Sequence, residues 1–480
     1  MTKQLFLDYV RNTEARSDTD FHLYDVKTAA LGQLLDPKGR TYLAIGLKGV
    51  GKSAAFKVLS AGSNADVVHA FDAETYQISE EAKPKPTRQY VREVRGELVF
   101  QAVRDLVDRA TKNPTFAATI PADLYQRAQV LNDRLWQKIK DVVNEIGGIS
   151  ILGFGITRRA ASKDKKAQLG EQISNSDYNE AFEILKGLVG KINFRTVIDD
   201  PDSLFTVSDK MNANMVAAVC IAANELARQL ANLRIIILLK PNVFDSLLKI
   251  DEFVSIPIDV RVRLSWTKAE LKAVVRKRAE AARFNLGEMF VPSADAVLDR
   301  IVSDSRTGPR DVLNRIIVHQ DLIPTGKIEA NELFKSADEF AKVSYEQMVG
   351  PYDSEYPGLA RASIILFEGG VIEFDRDALR RRFDNMIGSN AEIVAWADQE
   401  WARNSDKFSE LLVEFGLVAI KSGGRTLLPY ESEFIGMSKQ SNAIFTYVPG
   451  MAPKIKFTTT SSGPSNSIQD RGQPVVKNRS

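Results

Sequence analysis

The stretch AIGLKGVGKSAAF, Ala44 to Phe56, decides how the rest of the chain is read. Within it, Gly46-Leu47-Lys48-Gly49-Val50-Gly51-Lys52-Ser53 fits the phosphate-binding pattern G-x-x-x-x-G-K-[ST]. Glycines at these positions let the backbone close around a phosphate with no Cβ in the way. Amide N–H groups from Gly49 to Ser53 would then face the β-phosphate from the positive end of the following helix. Lys52 would place its charge between the β- and γ-phosphates, and the Ser53 hydroxyl would ligate Mg²⁺. Average residue usage yields this pattern by chance about 0.02 times in a chain of this length. The flanks agree with it. Thr41 to Ile45 is a β-prone apolar run, and Ser53 to Ala61 contains neither Pro nor Gly and reads as a helix. Strand, loop and helix in that order are the context the motif needs.

The chain has 480 residues, room for two to four domains, and 44% hydrophobic residues, ordinary for a globular protein. Its net charge of +2 comes from 64 basic and 62 acidic residues, so bulk charge does not argue for nucleic acid. The single cysteine, Cys220, excludes an intrachain disulfide and a cysteine-built zinc site, and its apolar helical setting predicts a core position. A reducing, cytoplasmic setting is expected. Asp8 and Arg11 come too early for a secretory leader, and no apolar run reaches membrane-span length.

The second strong signal is Asn193 to Asp202, NFRTVIDDPD, an apolar strand ending in two carboxylates. Beside a phosphate loop, Asp199 would hold Mg²⁺ through its water and Asp200 would orient or deprotonate the attacking water. Alone, such a strand more often ends in an ordinary acidic turn; with the loop, it is expected to lie next to the loop's own strand. Leu233 to Leu239 reads as a fully buried parallel strand. It leads to Lys240 and Asn242, either of which would reach a γ-phosphate or merely begin a loop. Thr267 and Glu270 form a capping box that opens a helix running to about Ala282. In Thr307-Gly308-Pro309-Arg310, Pro309 starts another helix and Arg310 projects from its first turn, towards a γ-phosphate or towards Asp311 or Asp304.

Taken in order, GLKGVGKS, VIDDPD, LSWTKAELKAVVRKR and TGPRDVL resemble bacterial AAA+/STAND-like P-loop ATPases, close to the KAP type. The resemblance spans roughly residues 20–430 and is strong only at the motifs. It implies a parallel αβα core, a helical lid and often a winged-helix domain, with ATP and Mg²⁺ as ligands. It places Lys52 and Ser53 at the phosphate loop, Asp199 and Asp200 at the acidic pair, and Arg310 at the lid arginine. An Asp in place of the usual Glu at position 200 implies slow hydrolysis. Members often belong to antiphage defence gene sets. Many KAP members carry membrane spans, which this chain lacks.

The expected organisation is therefore α/β: a helical lead-in at 1–30, a P-loop core at 31–265 with an insertion at about 111–190, a lid at 266–345, a winged-helix-like domain at 346–455 and a disordered tail at 456–480. The insertion holds a helix at 121–146, a glycine-rich stretch at 147–155 and a basic stretch at 158–166, read as a solvated loop. In the C-terminal domain, Asp377–Ile387, Ala391–Trp401 and Asp406–Phe415 are three helices, and Leu417–Leu428 is a hairpin with its tip at Ser422 to Arg425. Residues 375–425 hold eight Lys/Arg against nine Asp/Glu, so DNA is weakly supported unless Arg380, Arg381, Arg382 and Arg425 share a face. A protein contact, with a partner or a second copy, is favoured for this domain. A trans-acting arginine would come from Arg261, Arg263 or Arg306. The absence of an Asn-Lys-x-Asp guanine signature leaves adenine as the expected base.

Overall fold

A computed structural model describes the chain except residues 1, 37–42, 48, 62–64, 73–86, 147–174, 200, 202–209, 258–259, 307, 325, 350–355, 368–372, 390–395, 397, 423 and 449–480. Five parallel strands organise the first half: β1 (Leu43–Ile45), β2 (Val67–Asp72), β3 (Phe194–Asp199), β4 (Leu233–Leu239) and β5 (Arg261–Arg263). Their order across the sheet is β2-β3-β4-β1-β5. The central strand β4, LRIIILL, is buried along its whole length, as expected for a parallel strand covered on both faces.

Strand periodicity divides the core in two. Ile235, Ile237 and Leu239 face one layer, with Leu98, Val99 and Leu106 of the Thr87–Lys112 helix and Ala222 and Leu226 of the Lys210–Gln229 helix. Ile236 and Leu238 face the other, with Leu59 behind the phosphate loop and Leu31 and Leu34 of the Ala29–Leu35 helix. The result is an αβα P-loop core. Cys220 is buried in the first layer, and burial pushes its thiol pKa up. The inserted helices Ala122–Ile146 and Asn175–Gly187 pack on the Thr87–Lys112 helix. The glycine-rich and basic stretches between them lie outside the described residues. Among the described residues, no helix is long and apolar enough to cross a membrane.

A helical lid follows, with helices Lys268–Ala281, Ala294–Asp304, Pro309–Leu322 and Ala337–Val349. The Thr267–Glu270 capping box is present. A short parallel pair, β6 (Phe290–Val291) with β7 (Ile328–Glu329), ties the first lid helices to the later ones. Within the lid, His319 is buried with its Nδ1 2.8 Å from Ser336 Oγ. Burial, then the charge of Arg315, lowers its pKa to about 4. The unfolded imidazole titrates near 6.5. The folded protein is therefore expected to lose stability as pH falls from about 6.5 to about 4, by on the order of 3 kcal/mol from this group. Urea midpoints across that window should fall less steeply in His319→Gln than in wild type.

The last unit contains β8 (Glu373–Phe374), the helices Arg376–Ser389 and Ser405–Glu414, and β9 (Val418–Ser422), β10 (Arg425–Leu427) and β11 (Ile444–Tyr447). The strands form an antiparallel sheet in the order β10-β9-β11-β8. The expected hairpin is β9 and β10, whereas β11 adds a central strand that the sequence reading lacks. The expected helix at 391–401 falls largely outside the described residues, and Glu400–Arg403 at its end is a 3-10 turn.

Candidate nucleotide site

The sheet brings the loop to its carboxyl edge. Gly46 N–H continues the ladder to Leu239 O at 3.0 Å, and Leu264 N–H reaches Ile45 O at 2.8 Å from the other side. The chain then turns. Val50 N–H donates to Leu47 O, and Gly49 and Gly51 take φ of 85° and 100°, conformations that glycine reaches without strain. The Lys52–Ser60 helix begins at once, so its positive end faces the loop. Lys52 is 8% exposed, and its Nζ donates to the carbonyls of Gly46 at 2.9 Å and Leu47 at 3.4 Å. The ammonium therefore sits inside the loop it is expected to serve. Ser53, next along, is half-buried. A Cβ on Gly46 would meet Val50 Cγ1 at 2.5 Å, so the loop tolerates no side chain there. These features fit a phosphate cradle.

Asp199 ends β3 at the same edge, and its side chain is 1% exposed. Strand order corrects one expectation. β3 does not lie beside β1, because β4 is interposed: Asp199 registers with Leu238, and Leu238 with Ala44. Two strand spacings put Asp199 about 10 Å from the end of β1. A carboxylate at that remove would hold a metal at Ser53 through a water rather than directly. Asp200 lies outside the described residues. Lys240 follows β4 and caps the Pro241–Leu247 helix at the same edge; the Asn242 side chain is outside the described set.

The lid closes on the loop through Gly308. Its φ is 152°, and a Cβ there would come within 3.0 Å of Gly49 O and 3.3 Å of Val50 Cα. Arg310, in the first turn of the following helix, is thereby held near the site; its side chain is 30% exposed. Its partner is neither Asp311 nor Asp304 but Glu14, at 3.7 Å. Gly308→Ala is expected to pry lid from loop, costing about 1–3 kcal/mol and lowering nucleotide affinity about tenfold. A melting curve and a fluorescent-nucleotide titration would check both effects.

Two sets of residues were not found by sequence reasoning. Trp266 joins core and lid, and its Nε1–H donates to Val50 O at 2.5 Å. Its own N–H donates to Tyr430 O at 2.9 Å, tying the loop to the C-terminal unit. A lone tryptophan in the polar run Ser265-Trp266-Thr267-Lys268 was the available signal. The other set is Arg16 with Glu14: Arg16 Nη2 lies 2.5 Å from Asp199 Oδ2. No local pattern announces a contact across 183 residues.

Among the three arginines considered for a trans-acting role, Arg306 is excluded. It is buried against Asp311 and donates to Ser344 O. Arg261 donates to Ile256 O and lies over the Phe244 ring. In the C-terminal unit, Arg380 pairs with Asp406 at 2.7 Å, Arg425 with Glu431, and Arg382 donates to Leu366 O, while Arg381 is exposed. Three of the four cations on which the DNA reading depended are thus engaged within the protein.

No family model matches the sequence, and no curated protein sequence matches it. Among solved structures, the chain is similar to a Walker-type ATPase of Pyrococcus abyssi, at 10% identity over 90% of this chain and 95% of that one, with a TM-score of 0.45. It is also similar to Cdc6p from Pyrobaculum aerophilum, at 12% identity over 91% and 97%, with a TM-score of 0.33. Likenesses this distant fix neither ligand nor activity, which rest on the site itself.

Proposed function

We propose that the chain is a P-loop ATPase of AAA+ type that couples Mg-ATP binding or hydrolysis to movement of its lid and C-terminal unit, or to assembly. One observation carries the reading: Lys52 is seated within the loop that the lid's Gly308 touches. Phosphate at that loop would therefore be felt by the lid directly. Lys52 would hold the β- and γ-phosphates, while Ser53 and Asp199 would hold Mg²⁺. The metal, when bound, neutralises charge on the β- and γ-oxygens. Asp200 would orient water, and Arg310 would reach the γ-phosphate once released from Glu14. The STAND-type subclass and a role in antiphage defence rest on the motif resemblance alone. The winged-helix-like reading of 346–455 draws support from the helices and hairpin there; we favour a second copy or a protein partner as its contact over DNA.

A second reading, a nucleotide-held switch with little turnover, is favoured by the ion pairs now on Asp199 and Arg310. Phosphate release from ATP by the purified protein with Mg²⁺, with Lys52→Ala as control, tests the proposal. Turnover that disappears in the control supports the ATPase. Nucleotide binding without turnover supports the switch, and no nucleotide binding at all overturns both.

A further inference from the structure

The first residues of the chain behave as part of the site. The Thr2–Arg11 helix is fixed to the lid: Phe6 stacks on Phe284 with ring centroids 5.2 Å apart, Arg278 Nε donates to Tyr9 O at 3.0 Å, and Arg11 pairs with Asp321 at 2.9 Å. The chain then crosses to the phosphate-loop helix. Lys57 Nζ there donates to the carbonyl of Ala15 at 2.9 Å and to that of Asp18. Between these anchors, Arg16 lies over the Phe56 ring at 5.7 Å and extends its guanidinium to Asp199. Two residues earlier, Glu14 meets Arg310. One short segment thus engages both the carboxylate and the lid arginine assigned to Mg-nucleotide.

A carboxylate as buried as Asp199 is costly without a counter-charge. Arg16 supplies one, and a hydrated divalent cation would supply another. Arg16 Nη2 stands 2.5 Å from Oδ2, so a hydrated cation served by that oxygen would have to share it with the guanidinium or displace it. Arg16 is 27% exposed, so its guanidinium has a route to water that Asp199 lacks. Glu14 and Arg310, at 30% exposure for the arginine, are placed to separate by the same movement. By linkage, whatever displaces the segment from Asp199 is itself opposed by the segment, to an equal degree.

We propose that residues 12–18 form a strap in which Arg16 is a resident counter-ion of Asp199, competing with Mg²⁺, so that metal-nucleotide binding and strap release are one event. The inference rests on the nucleotide reading of the site. Its test uses the full chain and a fluorescent ATP analogue, titrated first without metal and then with increasing Mg²⁺. Arg16→Ala is expected to lower the Mg²⁺ concentration at the midpoint by about tenfold. Affinity without metal should stay within about twofold, and Arg16→Lys should stay near wild type. An unchanged midpoint overturns the proposal. So does weaker Mg-nucleotide binding in Arg16→Ala, which would make Arg16 a phosphate ligand. If wild type binds the analogue neither with nor without Mg²⁺, the nucleotide reading fails and this inference fails with it. A measurement on unmutated protein stands beside these. Tryptic cleavage after Arg16 should accelerate several-fold with Mg-ATP but not with ATP and EDTA, and equal rates would overturn the proposal.

Discussion

Lys52→Ala is expected to lose nucleotide affinity by at least about 100-fold and to bring phosphate release to background. The argument is electrostatic and local. The ammonium sits inside the loop on a residue that is 8% exposed, where a charge–phosphate contact is screened little by solvent. Removing one preorganised charge-stabilising donor from such a site costs about 10²–10³ in turnover. The substitution also removes the donor from Gly46 O and one of the two donors from Leu47 O, which keeps Val50 N–H. A stability loss of about 1 kcal/mol should accompany it. A fluorescent-nucleotide titration, a phosphate-release assay and a melting curve on one preparation separate the two effects. A variant that melts normally yet still binds nucleotide as wild type does would remove the central residue of the proposed site.

The largest effect on stability is expected at Arg315, in the lid. It is 1% exposed, and it donates to Asp304 Oδ2 at 3.1 Å, Ser336 Oγ at 2.8 Å and Leu333 O at 2.5 Å. Its guanidinium also lies over the Phe340 ring at 5.0 Å. Arg315→Met keeps the volume but leaves Asp304 buried with less compensation. Breaking a buried pair from one side costs about 3–5 kcal/mol, against a typical domain total of about 5–15 kcal/mol. The paired change Arg315→Met with Asp304→Leu should recover much of that loss, because the buried carboxylate is gone and Arg300, its other partner at 3.6 Å, is 25% exposed to water. Urea unfolding of the two variants checks both expectations. Since Gly308 immediately precedes the helix that holds Arg310 and Arg315, nucleotide affinity should fall in the single variant as the lid loosens.

What the sequence made legible was local. The phosphate loop, the apolar strand ending at Asp199, the buried run from Leu233 to Leu239 and the Thr267 capping box each occupy one short window. Each appears in the structure within a residue or two of its expected place. The order of the strands was not legible. Nothing within VIDD or LRIIILL says which of them borders β1, because pairing is decided between segments far apart in the chain. The same holds for charges. Arg306 has the composition of a surface arginine but is closed off by Asp311 and Ser344, and Arg16 has no neighbour in sequence that points to Asp199. β11 escaped notice because Ile444–Tyr447 is four residues long and joins a sheet whose other members lie 17 or more residues away.

The chain has four tryptophans, and one of them, Trp266, sits with its indole N–H on the phosphate loop. Indole emission depends on the polarity and hydrogen bonding of its surroundings. The loop therefore carries its own optical probe, which needs no label. A change in Val50 O on phosphate binding would be recorded as light from Trp266. The backbone bond from the same residue to Tyr430 means that the signal would also register a shift of the C-terminal unit.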